Sequence, residues 1–165
     1  MIRAERVGDG DAIHNVEVAA FGRDDEARIA DDLRGSDAFI PELSLVAEDA
    51  GEVVGHVIVS RGHVAPSGEP ILLLGPIGVL PERQGEGIGS ALVEAALEGA
   101  RRLGAPCVAL LGSPAYYARF GFVHAEPLGL LPLAEWPSEA FQVAVVDPAG
   151  DVPQGRVVYP PAFGV

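Results

Sequence analysis

The sequence predicts a single mixed α/β domain over residues 1–165, in which helices and strands do not alternate regularly. Two helical patterns come early, a strand hairpin and a wholly apolar strand follow, and one strand–helix–strand unit leads into a strand-rich end. Regular alternation would be typical of a doubly wound parallel sheet, so this order favours a mixed architecture. With 48% hydrophobic and 21% charged residues, the chain can fill one compact core.

Two amphipathic helices are predicted in the first part of the chain. The first runs to about Phe21 and is capped by Asp9 or Asp11, because an Asp side chain accepts hydrogen bonds from the free amides of a first turn. The second covers residues 23–33 and presents small and branched apolar residues on its inner face. It should end at Gly35 in the left-handed conformation that stops many helices.

Four strands are predicted in the first half of the chain. Residues 2–7 alternate apolar and charged side chains. Residues 43–48 and 52–59 are joined by Asp49-Ala50-Gly51, which predicts a hairpin with a three-residue connection. Residues 71–79 are apolar throughout and rich in branched side chains, as expected of a strand that is buried on both faces.

The second half of the chain predicts one long helix, one short helix and three strands. The long helix covers residues 87–103, where apolar residues recur at helical spacing. A short strand at 108–111 follows, and then a short helix at 114–120 that a proline opens. Apolar runs at 141–146 and 156–159 predict two further strands.

The charge balance excludes several classes of function. The formal net charge is −13, from 24 acidic residues and 11 basic ones, and all of the basic residues are arginine. A surface of this sign repels DNA, RNA and anionic lipid, so we expect no nucleic-acid partner and no membrane partner. The absence of lysine excludes a Walker-type phosphate loop and a lysine Schiff base.

The cysteine count and the hydropathy pattern predict a cytoplasmic protein. Cys107 is the only cysteine, so an intrachain disulfide is excluded and a reducing compartment fits best. The N-terminal residues lack the apolar stretch of a secretory signal. No apolar run reaches the length of about eighteen residues that a membrane-spanning helix needs.

The most informative stretch joins the apolar strand to the long helix through Gly85, Gly87 and Gly89. Such glycines let successive amides point into one concavity, and a pyrophosphate can approach the backbone without a Cβ in the way. The N-terminus of the helix adds about half a unit of positive charge, and Arg83 adds a cation. A tight turn that merely needs glycine is the alternative. A dinucleotide motif is absent, because Ser90 occupies the last glycine position counted from Gly85.

This junction resembles the signature of a known family. Gln84-Gly85-Glu86-Gly87-Ile88-Gly89 matches the Q/R-x-x-G-x-G/A signature of the GNAT superfamily of N-acetyltransferases, and Tyr117-Ala118-Arg119-Phe120-Gly121-Phe122 is similar to a second landmark of that family, Tyr-x-x-x-Gly-Phe. The two landmarks are about thirty residues apart, with a strand between them. Gly75-Pro76-Ile77, together with Pro114-Ala115-Tyr116-Tyr117, is similar to the YhbS-like branch.

The resemblance implies a fold and a co-substrate. The fold is a central, mostly antiparallel twisted sheet of about six to seven strands, flanked by about four helices and splayed at the cofactor strand. The co-substrate is acetyl-CoA. Gly78 would mark the bulge that opens the strand pair. The residues expected to contact acetyl-CoA are the strand residues Ile77, Gly78 and Val79 and the junction residues Arg83, Gln84, Gly85, Glu86, Gly87, Ile88, Gly89 and Ser90.

The resemblance also implies a reaction, the transfer of an acetyl group to a primary amine of a small molecule or peptide by direct attack on the thioester. A backbone N–H near Val79 would polarise the carbonyl, and Tyr117 would protonate the departing thiolate. Tyr116 has the same chemistry, and only the spacing to Gly121-Phe122 favours Tyr117. The alternative is a non-catalytic module that binds or senses acyl-CoA with the same fold.

The sequence leaves the acceptor side of the reaction open. The acidic net charge favours a cationic acceptor such as a polyamine, an amino-sugar or a basic peptide. The aromatic residues near the C-terminus either wall the acceptor site or close the sheet, and we expect closure for most of them. No metal site is expected, since the four histidines are scattered, and a homodimer is compatible with the sequence. The candidate general bases, none of which can be assigned, are His56, His63, Glu42 and Glu48.

Overall fold

The computed structural model describes residues 1–133 and 135–165 and contains one sheet with helices on both faces. Its α-helices are α1 (Gly10–Phe21), α2 (Asp25–Arg34), α3 (Ile88–Arg102) and α4 (Pro114–Tyr117). Its strands are β1 (Ile2–Ala4), β2 (Phe39–Asp49), β3 (Glu52–Ala65), β4 (Pro70–Val79), β5 (Cys107–Leu111), β6 (Val123–His124), β7 (Leu130–Leu131), β8 (Phe141–Val145) and β9 (Gly155–Val158). No helix of the described residues has the length and apolar character to cross a bilayer.

The sheet is mixed but mostly antiparallel, as the family resemblance implies. Its main path runs β1-β2-β3-β4-β5-β8-β6, while β9 pairs with the far end of β3 and β7 pairs with β9. The pairs β4–β5 and β7–β9 are parallel, and the other pairs are antiparallel. Strands β6 and β7 have only two residues each, which is too short for a periodic pattern to reveal.

The core forms because α3 buries one apolar stripe against the sheet. Its buried side chains pack on Leu43, Leu45, Val57 and Val59 of the central hairpin, while α1 and α2 cover the opposite face. Burial of this kind stabilises the fold by roughly 25 cal/mol per Å² of apolar surface. The α3 residues concerned are Leu92, Val93, Ala96, Leu97 and Ala100.

Two predicted helix signals are wrong in detail. The side chain of Asp9 does not cap α1, because its carboxylate accepts hydrogen bonds from the backbone N–H of Arg6 and the guanidinium of Arg3. Gly35 follows α2 with a φ of −90°, so it is not left-handed. A left-handed glycine does end the preceding helix, α1, where Gly22 has a φ of 71°.

The hairpin between β2 and β3 is tighter than the sequence predicts. Asp49 pairs directly with Glu52, so the connection has two residues, not three. Ala50 and Gly51 have φ values of 51° and 81°, both positive. Two consecutive positive φ values define the type I′ turn, whose twist matches that of the flanking strands.

The strands β4 and β5 separate after a short parallel contact, and this opens the sheet. They pair only at Leu72–Val108 and Leu73–Ala109. The register of β4 against β3 then shifts at Gly75-Pro76. Val57 of β3 pairs with Ile77, whereas Val59 pairs with Leu74, so β4 has one extra residue between these two pairs. Proline has no N–H to donate to a ladder, and an extra residue bends the bulged strand. The splay is therefore where the sequence predicts it, but the bulge is not at Gly78.

Candidate functional site

A cavity of about 510 Å³ opens where β4 leaves β5, and it reaches the N-terminus of α3. Every residue predicted to contact acetyl-CoA lines it except Glu86, whose side chain turns to Arg83. The sequence therefore predicts most of the residues that line this cavity, although it misses several others. The lining residues that it misses are Ala20, Phe21, Tyr116 and Arg119.

The backbone at the mouth of α3 is built to meet an anion. Gly85 and Gly87 have φ values of 81° and 87°, and a Cβ at either position would meet no atom within 4 Å, so the space in front of the loop is open. No side chain caps α3, and no acceptor among the described residues takes a hydrogen bond from the amides between Gly85 and Ser90. These free amides and the helix dipole together favour a phosphate group.

The cation that the sequence assigns to this loop is already neutralised. The guanidinium of Arg83 lies 2.9 Å from Asp49 and 3.0 Å from Glu86, and these hydrogen bonds raise its pKa. Arg119 is different, because it forms no ion pair with any described carboxylate. Its Nε donates a hydrogen bond to the carbonyl of Tyr116 at 2.9 Å, and its guanidinium carbon lies 4.6 Å from the centroid of the Tyr116 ring. The uncompensated positive charge at the cavity therefore comes from Arg119, in the turn after α4.

The open edge of β4 presents backbone groups to the same cavity. Leu80 donates its N–H to the carbonyl of Val54 on β3. Since bonded and non-bonded pairs alternate along an antiparallel ladder, the amides of Val79 and Ile77 point away from β3 and into the gap beside β5. The side chain of Gln84 donates to the carbonyl of Val79 at 3.0 Å and so fixes the loop to the strand.

The two adjacent tyrosines occupy different places in the cavity. The hydroxyl of Tyr116 lies 3.4 Å from Ser90 Oγ, at the mouth of α3. Tyr117 lies deeper, with its ring packed edge-on against Phe122 at a centroid distance of 5.7 Å. Burial, with a smaller effect of Tyr116, raises the pKa of the Tyr117 phenol, which keeps it protonated at neutral pH. The structure thus separates two residues that are equivalent by type.

A second cavity of about 580 Å³ lies beside the first, and the two share Phe21, Ile77 and Tyr117 as a common wall. The C-terminal aromatics form its far side. The ring of Tyr159 lies edge-on to Trp136 and Phe163, at centroid distances of 5.0 and 4.9 Å. Trp136, Tyr159 and Phe163 therefore line a cavity, whereas the sequence favours closure of the sheet for most of the C-terminal aromatics.

None of the four candidate bases lines either cavity; they are His56, His63, Glu42 and Glu48. His56 is fully buried, with Nδ1 2.8 Å from Glu17 Oε1 and Nε2 3.1 Å from Ser44 Oγ. Burial raises the pKa of Glu17, and the hydrogen bond from His56 opposes that effect. No group of three or more His, Cys, Asp or Glu side chains in residues 1–133 and 135–165 could hold a metal ion.

The buried pair explains why residue 78 is glycine. A Cβ at Gly78 would lie 2.8 Å from Glu17 Oε2 and 3.0 Å from the Cβ of Ala20. That carboxylate oxygen is buried and has no hydrogen-bond partner among the residues described. Gly78 therefore lets α1 approach β4 closely, and it places a carboxyl group directly behind the strand that lines the first cavity.

Cys107 is expected to be inert in the folded protein. Its side chain is buried at the start of β5, and burial raises its thiol pKa to about 11, so little thiolate exists at pH 8. A disulfide exchange reagent should therefore detect no thiol in the native protein and one thiol in guanidinium chloride. Rapid labelling of the native protein would contradict the burial of Cys107.

Comparisons with known proteins agree with this geometry. Residues 11–122 match the acetyltransferase (GNAT) family. The chain is 36% identical over 148 residues to the uncharacterised N-acetyltransferase YhbS of Escherichia coli (strain K12), covering 87% of this chain and 85% of that protein. It is also 36% identical over 116 residues to the uncharacterised N-acetyltransferase YjhQ of the same strain, covering 69% of this chain and 64% of that protein, which is less than two thirds of its length.

Two solved structures share the whole architecture. Escherichia coli YhbS in complex with CoA superposes with a TM-score of 0.90 at 32% identity, covering 100% of this chain and 92% of that one. A GNAT family acetyltransferase from Brucella melitensis, in complex with acetyl-CoA, superposes with a TM-score of 0.83 at 39% identity, covering 99% and 97%. The chain is therefore similar along its whole length to proteins solved with these two ligands.

Proposed function

Because the chain belongs to the acetyltransferase (GNAT) family and is an acetyl-CoA-dependent N-acetyltransferase, we propose that it transfers the acetyl group to a primary amine by direct attack on the thioester. The observation that carries the proposal is the continuity of the two cavities at Tyr117. One cavity offers free amides for the co-substrate, and the other leaves room for an acceptor. A module that only sensed acyl-CoA would have no need of the second cavity.

In this proposal the co-substrate is held by backbone groups more than by side chains. The amides from Gly85 to Ser90 would bind the pyrophosphate at the mouth of α3, and Arg119 would supply the positive charge that Arg83 cannot. The outward-facing amide of Ile77 would pair with the pantetheine arm, and that of Val79 would polarise the thioester carbonyl.

The reaction balances without an enzyme nucleophile. The neutral amine forms a C–N bond to the carbonyl carbon, the C–S bond breaks with its electron pair on sulfur, and the nitrogen loses its proton to solvent water. Tyr117 gives its phenolic proton to the thiolate and regains one from solvent. Its raised pKa means that the phenol is present in its proton-bearing form when the thiolate leaves.

Replacing Arg119 with Gln is expected to weaken acetyl-CoA binding by about 10- to 100-fold, since charge-assisted hydrogen bonds contribute about 1.5–3 kcal/mol. Replacing Arg83 with Gln should weaken it less, because two carboxylates already neutralise that guanidinium. Isothermal titration at two salt concentrations measures both effects. Equal losses in the two variants would show that Arg119 has no special part in binding.

The setting and the partners of the enzyme are part of the same proposal. We infer a cytoplasmic enzyme whose acceptor is a cationic amine on a small molecule or peptide, since a net charge of −13 attracts cations. The lone buried thiol of Cys107 suits a reducing compartment. A homodimer stays a prediction, which light scattering of the purified protein tests.

A further inference from the structure

The second cavity has a lining that contrasts with the acidic surface of the protein. Among its described lining residues, only Arg23 and Glu26 have charged side chains. The other lining residues contribute apolar or aromatic side chains and, at Gly75-Pro76, the backbone of the β4 bulge. Its volume of about 580 Å³ falls within the range of about 300–1,000 Å³ that is typical of small-molecule sites. The uncharged lining residues that form its walls include Leu74, Leu110, Leu111, Trp136, Tyr159 and Phe163.

The two charged residues form an ion pair at one side of this cavity, and because a carboxylate has about four lone-pair sites, Glu26 can accept hydrogen bonds from a further donor. The guanidinium of Arg23 donates to Glu26 at 2.5 Å and is largely exposed, whereas the Glu26 carboxylate is mostly buried. The hydrogen bond from Arg23 lowers the pKa of Glu26, so this carboxylate stays ionised. Glu26 is also close enough to Glu17 to raise the pKa of that buried group. Two carboxyl groups therefore lie near the strand where the thioester is proposed to lie.

We propose that the second cavity takes a primary monoamine with an apolar body of about the size of an aromatic ring. Its ammonium group would enter toward Glu26 and Tyr117, and its body would lie against Trp136, Tyr159 and Phe163. This inference rests on the proposed transferase function and names the substrate class for it. It differs from the acceptors that net charge alone favours, because a binding site selects by its own lining and not by the distant surface.

A second charge on the acceptor is disfavoured in this cavity for a physical reason. An ammonium group that leaves water must find a hydrogen-bonding or charged partner, or its transfer costs free energy. The aromatic residues of the wall offer no carboxylate to a remote ammonium group, and the cation–π attraction of their rings is weaker than the hydration that the group loses. Polyamines and amino-sugars would therefore lose hydration at their remote end, while an alkyl or aryl body would gain from burial.

The test is a thiol-release assay with matched amines. Pentylamine and putrescine have the same number of heavy atoms, but putrescine has a second ammonium group where pentylamine has its terminal methyl group. We expect kcat/KM for pentylamine to exceed that for putrescine by tenfold or more, with phenylethylamine at least as good as pentylamine. Glucosamine should be poorer than both apolar amines. Isothermal titration of acetyl-CoA is run separately on the same preparation.

A charge placed on the apolar wall should reverse the preference. Leu111 ends β5, lines the second cavity and is 40% exposed, so Leu111→Asp should fold normally. This carboxylate would give a second ammonium a partner and is expected to shift the pentylamine-to-putrescine ratio tenfold or more toward putrescine. Val123→Asp adds the same charge at a position 52% exposed and outside both cavities, and it should leave the ratio unchanged.

The outcomes separate this inference from the proposed function. Turnover that favours putrescine or glucosamine over pentylamine would overturn the inference and leave the transferase function standing. Binding of acetyl-CoA without release of thiol for phenylethylamine or pentylamine would also overturn the inference. Absence of acetyl-CoA binding would overturn the proposed function, and the inference with it.

Discussion

Replacing Gly87 with Asp is expected to weaken acetyl-CoA binding by at least about 100-fold. Gly87 precedes α3 at a φ of 87°, where an L residue is strained by roughly 1–2 kcal/mol. The larger effect is electrostatic, since a carboxylate about 4 Å from a phosphate costs about 4 kcal/mol at an effective dielectric constant of about 20. Isothermal titration of the variant with acetyl-CoA measures the loss directly.

The matched control lies at the other end of the same helix. Gly104 follows α3 at a φ of 78°, and a Cβ there would also meet no atom within 4 Å. Gly104→Asp therefore imposes a similar backbone strain and the same change in net charge, but far from the cavity. We expect its affinity for acetyl-CoA to match that of the wild-type protein. An equal loss in both variants would assign the effect to general destabilisation, and no loss in either would remove the pyrophosphate from this loop.

Replacing Tyr117 with Phe is expected to lower kcat by about 100-fold or more, which is the usual range for loss of a general acid. The ring remains and keeps its packing against Phe122, so affinity for acetyl-CoA should change little. Steady-state rates with saturating amine, together with titration of acetyl-CoA, separate these two effects. An unchanged kcat would assign protonation of the thiolate to another group or to water.

The neighbouring tyrosine supplies the control. Tyr116 lies at the mouth of α3 beside Ser90, so Tyr116→Phe should leave kcat within a few-fold of wild type. The pH profile gives a second check. Because the pKa of Tyr117 is raised above its ordinary value near 10, its acid form persists, and kcat should keep its plateau to at least about pH 9. A fall in kcat between neutral pH and pH 9 would contradict Tyr117 as the acid.

The part of the site that the sequence predicts well is encoded locally. The glycines from Gly85 to Gly89 lie within a few residues of one another, and they join a strand and a helix that each have a strong pattern. Glycine permits the positive φ values that the backbone adopts at Gly85 and Gly87. The spacing of Tyr117 to Gly121-Phe122 is local as well, and the structure places that tyrosine at the junction of both cavities.

The features that the sequence does not predict depend on contacts between distant segments. Glu17 and His56 are 39 positions apart, and neither α1 nor β3 signals that their side chains meet in the core. The role of Gly78 follows from that contact. Glycine within a strand pattern instead predicts a bulge at Gly78, and the structure places the bulge at Gly75-Pro76. His56 is a candidate base by residue type, but α1 and the sheet bury it completely, and no local pattern in the sequence predicts that burial.

The ion pairs around the first cavity also depend on contacts between distant segments, which the sequence does not predict. Arg83 and Arg119 are equivalent as residue types, and the sequence favours Arg83 because it adjoins the glycine-rich loop. The hairpin between β2 and β3 brings Asp49 to Arg83, and this long-range ion pair leaves Arg119 as the arginine of this cavity that has no carboxylate partner among the described residues. Residue type predicts the presence of a charge, but only the fold decides which charges are compensated.

The central claim is that backbone amides at the mouth of α3 bind the pyrophosphate of acetyl-CoA in spite of the acidic net charge. A crystal structure of the protein grown with acetyl-CoA tests it most directly. We predict phosphate oxygens within hydrogen-bonding distance of the amides from Gly85 to Ser90, with the thioester sulfur beside the Tyr117 hydroxyl. Density for the ligand elsewhere, with this mouth left open or filled by a neighbouring side chain, would contradict the account.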